Sequence, residues 1–119
     1  MRDFRSLKVW ERSHHLAISI YGLPASFPKD ERYGLSGQLR RSGVSIPANI
    51  AEGCGRSGEK ELARFLNISL GSASELEYLL LLARDINLLD HSEFEHVSTD
   101  VIEIKKMLTS FIQKLKADS

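Results

Sequence analysis

The chain has 119 residues, 42% of them apolar, which is one domain's worth of sequence with enough apolar side chains for a real core. It carries 16 basic and 16 acidic side chains for a formal net charge of zero, which argues against a generic polyanion binder. The single cysteine, Cys54, excludes an internal disulfide and suits a reducing compartment. No apolar run approaches the roughly 18 residues of a membrane span and no signal peptide is visible at the start, so the sequence predicts a cytoplasmic protein.

Val9, Leu16, Ile20, Leu23 and Phe27 recur at helical spacing, with Trp10, Ala17 and Tyr21 widening the predicted buried face of a first helix. Pro24 kinks that helix or ends it early. A second helix is predicted to open at Phe27-Pro28, with Asp30 and Glu31 favourably placed in its first turn. Its apolar stripe of Leu35, Leu39, Ile46 and Ile50 continues past Pro47, so the expectation is a helix kinked between Gly43 and Pro47, with Ser42 and Ser45 bonding the freed carbonyls. Gly53 and Gly55 offer left-handed conformations to end it, and Ser57 offers a simple cap for the next helix.

The third helix reads as the longest. Leu62, Phe65, Leu66, Ser69, Ala73, Leu76, Leu80, Ala83 and Asn87 share one face. Ile68, Tyr78, Leu79, Leu82 and Ile86 extend the apolar character beyond that face, and a helix apolar nearly all round must be covered all round. They are therefore candidates for a subunit interface, against the alternative of a helix buried centrally in a monomer. Gly71, in mid-helix, costs about 1 kcal/mol relative to alanine and predicts a close neighbour. Asp90 and Glu93 form a capping-box pair, after which Phe94, Val97, Val101, Ile104, Leu108, Phe111 and Leu115 make a regular seam. Four helices with short connections predict an all-α fold: a single-domain, antiparallel up-down-up-down four-helix bundle over residues 1–119.

Within that topology Arg40 and Arg41 stand level with Gly71, Ser72 and Glu75, predicting an arginine–glutamate pair across the second hairpin or across a subunit boundary. Gln38, Asn49, Glu52 and Arg56 complete the candidate polar network, the last three at spacings of three and four. A dinuclear metal site is the sharpest enzyme hypothesis, since Glu11 with His14 and Glu93 with His96 form two Glu-x-x-His motifs, with Glu52 and Glu75 between them. Antiparallel packing separates the two motifs by roughly 20 Å, which argues against it. Cys54 near His14 or His15 is more simply a space-filling side chain than a nucleophile. Gly53 to Gly58 lacks the lysine and preceding strand of a phosphate loop. No catalytic, metal or cofactor site is expected.

The run from Phe27 to Glu75, above all GLSGQLRRSGVSIPANIAEG from Gly34 to Gly53 backed by Gly71, Ser72 and Glu75, resembles the 23S rRNA-intervening-sequence protein family, also called the S23 ribosomal protein family. The resemblance implies a helical bundle and a ring-shaped homo-oligomer, similar to the pentameric accessory proteins of diversity-generating retroelements that bind nucleic acid and a reverse transcriptase. Residues 1–64 hold 11 basic and 7 acidic groups, leaving 5 and 9 for the remainder. A basic surface from Arg2, Arg5, Lys8, Arg12, Arg32, Arg40, Arg41, Arg56 and Arg64 would hold RNA or DNA through phosphates. The alternative is a scaffold for a protein partner with structural arginines.

Overall fold

The computed structural model describes residues 2–28 and 34–118. Leu7 precedes α1 (Lys8–Gly22), which buries Val9, Ser13, Leu16, Ala17 and Ile20 on one stripe. Pro24 then tightens the chain into a 3-10 turn over Leu23–Ser26, so α1 ends early, as its proline predicts. Phe27 leaves that turn extended (φ −75°, ψ 149°), the conformation favoured before a proline. Pro28 itself lies in no helix, and the turn predicted to follow it falls outside the described residues. The next helix, α2, spans Leu35–Gly55, while Asp30 and Glu31 lie outside the described residues.

Pro47 sits buried inside α2, and the apolar stripe of Leu35, Leu39, Ile46 and Ile50 is continuous through it. Ser42 donates to the Leu39 carbonyl and Ser45 pairs with Ser72, so neither serves the carbonyl of Gly43. The end of α2 comes where expected but by another device. Gly53 and Gly55 remain helical, Arg56 caps in an extended conformation, and the left-handed residue is Gly58 (φ 84°). Gly58 rather than Ser57 then stands at the N-cap of α3 (Glu59–Asp85), without a side-chain cap.

Helix α3 buries Leu62, Phe65, Leu66, Ser69, Ala73, Leu76, Leu80 and Ala83, together with Leu79. Asn87 is exposed and left-handed (φ 66°), and belongs to the turn that stops the helix: Leu88 N–H donates to the Ala83 carbonyl at 2.8 Å. Asparagine tolerates that conformation better than most residues, which explains its departure from the buried face. Helix α4 (His91–Asp118), with 28 residues against 27 in α3, is the longest. Asp90 Oδ1 accepts from the Glu93 N–H at 2.8 Å. Asp90→Ala should therefore cost about 1 kcal/mol and lower the urea midpoint measurably. Val97, Val101, Ile104, Leu108 and Leu115 are buried, but Ile112 takes the place assigned to Phe111, which is half-buried. A straight helix drifts about 20° per heptad, and the buried stripe follows the drift.

Contacts between consecutive helices pair rising numbers on one with falling numbers on the next. Ile20 meets Gly43 and Tyr21 meets Arg40; Ile46 meets Ser69 and Gly53 meets Phe65; Glu77 meets Lys105 and Arg84 meets Phe94. Arg12 on α1 closes the bundle by reaching Asp100 and Glu103 on α4. The long dimension of 47 Å against 21 and 19 Å is that of aligned helices, since 28 residues span about 42 Å. Among the described residues there are no strands.

Candidate nucleic-acid interface and polar network

Six of the nominated cations are already engaged within the chain, among them Arg2, which lies 3.6 Å from Glu59. Arg5 lies 3.4 Å from Asp3 and 4.4 Å above the Phe4 ring. Arg12 hydrogen-bonds Glu103 and lies 3.8 Å from Asp100. That hydrogen bond raises its pKa above the ordinary arginine value, against the opposing effect of burial. Arg56 pairs with Glu52 at 2.8 Å, Arg64 with Glu61 at 2.8 Å, and the two guanidiniums lie 5.0 and 4.5 Å from the buried ring of Phe65. The Arg64 hydrogen bond in turn lowers the pKa of Glu61.

Arg40 has a different role from the predicted one. It donates from Nε and Nη2 to the Tyr21 carbonyl, at 3.2 and 3.0 Å, and lies 5.0 Å from the Tyr21 ring. The last carbonyls of a helix lack helical donors, and Pro24 has no N–H to offer Tyr21. A cation at that terminus also complements the helix dipole. Tyr21 is correspondingly 55% exposed instead of part of the core. No ion pair joins Arg40 or Arg41 to Glu75 among the described residues; Arg41 and Glu75 are both exposed. Arg32 lies outside the described residues.

The polar link between α2 and α3 is made by small side chains. Ser45 and Ser72 hydroxyls lie 2.8 Å apart, Asn49 Nδ2 donates to the Ser45 carbonyl and hydroxyl, and Ser69 donates to the Ile46 carbonyl at 2.9 Å. Ser72 and Asn49 thus belong to one network, Glu52 and Arg56 form a separate pair, and Gln38 is exposed apart from both. The close approach expected at Gly71 occurs instead at Gly53, where a Cβ would lie 2.8 Å from Phe65 Cβ; Gly71 faces open space. Ile68, Tyr78 and Ile86 are 41%, 59% and 47% exposed, and Leu82 is half-buried. Leu79 is buried in the core and unavailable to an interface, because its angle on α3 turns it toward α2.

A cation-rich groove lies between the start of α1 and the second half of α4. It measures about 610 Å³ and is lined by Arg2, Lys8, Lys106 and Lys114, with Asp118 as its one carboxylate. Leu7, Val9, Met107, Phe111 and Leu115 form its apolar floor, and the Arg2 guanidinium lies 5.7 Å from the Phe111 ring centroid. Lys8 was legible as a candidate; Lys106 and Lys114 were not, because α4 belongs to the acidic portion of the sequence. Their spacing of eight residues beside Met107, Phe111 and Leu115 was the available signal.

The residues of the metal hypothesis are dispersed. His14 stacks on Trp10 at 4.9 Å with 8° between the rings, and no group of three metal-ligating side chains gathers among the described residues. Cys54 is buried, and burial raises the pKa of its thiol. The thiolate is the reactive form, so the folded protein should react with a disulfide reagent at pH 7.5 at least tenfold more slowly than the urea-unfolded chain.

These elements define an all-α, four-helix-bundle protein. No helix among the described residues is long and apolar enough to cross a membrane. The model of the 23S rRNA-intervening sequence protein family matches residues 5–110, and the chain belongs to that family. A crystal structure of a protein of unknown function from the S23 ribosomal protein family, from Bacteroides thetaiotaomicron, matches with a TM-score of 0.80. It is 32% identical, over 87% of this chain and 97% of that one. No curated protein matches the chain.

Proposed function

We propose that the protein is a non-catalytic homo-oligomer that binds RNA or another nucleic acid through its phosphate backbone. The observation that carries this reading is the α1–α4 groove, where Lys8, Lys106 and Lys114, beside an Arg2 that also pairs with Glu59, face a single lining carboxylate in a chain of zero formal charge. The interface thus shifts from the arginines of the first two helices, most of them paired, to a groove that joins both ends of the sequence. Base stacking has little support there, since the one aromatic ring, Phe111, already lies against Arg2. Contacts led by phosphates predict weak sequence preference. Assembly is supported by the exposed Ile68 and Tyr78 on α3 and Ile86 just beyond its end, and the family resemblance points to a ring of five.

The test is a titration of the purified protein against structured ribosomal RNA fragments at low and physiological salt, with light scattering on the same sample. Submicromolar binding that weakens steeply with salt supports the proposal. A second reading, a scaffold for a protein partner, is favoured by the carboxylates that hold Arg5, Arg12, Arg56 and Arg64. Absence of RNA binding by an intact oligomer would select it.

A further inference from the structure

The α1–α4 groove holds more apolar surface than a phosphate backbone uses. Met107, Phe111 and Leu115 recur every four residues on α4, so they form a strip about 12 Å long, and Leu7 and Val9 wall it from the other side. Met107 and Phe111 are only half-buried. At about 610 Å³ the groove falls within the roughly 300–1,000 Å³ of small-ligand sites. Its charges are unevenly placed along the strip. Arg12 hydrogen-bonds Glu103, and about one further turn on each antiparallel helix brings Lys8 and Lys106 to one height. Lys114 lies toward the other end, where Asp118 also lines the groove. Lys8, Lys106 and Lys114 are exposed and hold no ion pair among the described residues.

We infer that this groove binds the anion of a long-chain carboxylic acid, with its head between Lys8 and Lys106 and its chain laid along Met107, Phe111 and Leu115. Charge complementarity selects the occupant. Two unpaired ammonium groups at one end match a single carboxylate head, while Asp118 opposes an anion at the other. Between the ends, each methylene that leaves water on the apolar strip tightens binding. A phosphate backbone would satisfy the lysines and leave the strip wet, and a cationic amphiphile would cover the strip and meet like charges. Occupancy also withdraws Lys8 and Lys106 from nucleic acid. That competition rests on the phosphate-binding reading above, whereas the carboxylate binding does not.

The experiment titrates laurate, below its micellar range, into the full chain carrying isotope-labelled methionine methyls, with the affinity read by calorimetry. Met107 is one of two methionines and lies in the groove. A saturable shift of its methyl resonance at one laurate per chain is expected. Decanoate should bind about tenfold more weakly, since two methylenes are lost from the strip. The combined Lys8→Ala and Lys106→Ala variant should bind laurate about tenfold more weakly too, and because both lysines are exposed its helix content should match wild type. Dodecyltrimethylammonium, with an equal chain and the opposite charge, should not displace laurate. A Met107 methyl that laurate leaves unmoved overturns the inference, and so does equal affinity in wild type and the lysine variant, which would mean adsorption on other exposed apolar side chains. A ribosomal RNA titration of the same protein separates the two readings. RNA binding without laurate binding overturns this inference and leaves the proposed function standing, whereas laurate binding without RNA binding supports it and removes the phosphate-binding reading. Where both bind, RNA displaced by laurate supports the shared site, and RNA retained at saturating laurate overturns it.

Discussion

Gly53→Val is expected to destabilise the protein by about 3 kcal/mol, the upper end of what overpacking a core contact costs, and to lower the melting temperature by about 10 °C. Even the first added carbon would lie 2.8 Å from Phe65 Cβ, 3.1 Å from Leu62 Cδ1 and 3.4 Å from the Leu62 carbonyl oxygen. Two of these atoms belong to or adjoin the α3 backbone, so the strain cannot be relieved by rotating a side chain. The helices must separate, and separation weakens the Ser69 to Ile46 and Ser45 to Ser72 hydrogen bonds as well. Gly55→Ala is the control, since a Cβ there meets nothing within 4 Å. Its melting temperature should stay within about 2 °C of wild type. Equal losses for both variants would mean that Gly53 matters for its flexibility and not for the close approach.

The combined Lys106→Ala and Lys114→Ala variant should abolish most nucleic-acid binding at physiological salt. Each lysine engaged with a phosphate contributes about one unit to the slope of log affinity against log salt, so the pair should flatten that slope by about two. Both are solvent-exposed and neither holds an ion pair among the described residues, so the melting temperature should not move. Replacing Arg64, which is paired with Glu61 and packed on Phe65, should change the slope far less. An unchanged slope in the lysine variant would remove the groove from consideration even if the protein binds RNA elsewhere.

The helices were legible because their buried faces are periodic: all four core stripes appear where the spacing of Leu16 and Ile20, Leu39 and Ile46, Leu66 and Ala73, and Val101 and Ile104 places them. What the sequence could not supply was the rotation of each helix about its own axis once packed. That rotation decides that Gly53 faces Phe65 while Gly71 faces solvent, although both are glycines within helical patterns. It also turns Leu79 inward and leaves Ile68 and Ile86 outside. Arg40 was misassigned for another reason. Its register relative to α3 was sound, but the end of α1 created by Pro24 offered a free carbonyl nearer than Glu75. The groove was hidden because it is made by residues from opposite ends of the chain, and a charge count by halves divides Lys8 from Lys106.

The bridge from Arg12 to Glu103 joins residues 91 apart in sequence, unlike the hairpin contacts that join neighbouring helices. Loop closure over that distance gains little until the three hairpins have shortened the effective path. The α1–α4 seam is therefore expected to be the last part of the bundle to close, with α1 amides exchanging faster than those of α2 and α3 as the check. A polyanion spanning Lys8 and Lys106 would bind only the closed state and pull the equilibrium toward it. Ligand occupancy would thus act as a clasp on the two chain ends, and protection of α1 amides from hydrogen exchange would rise with it.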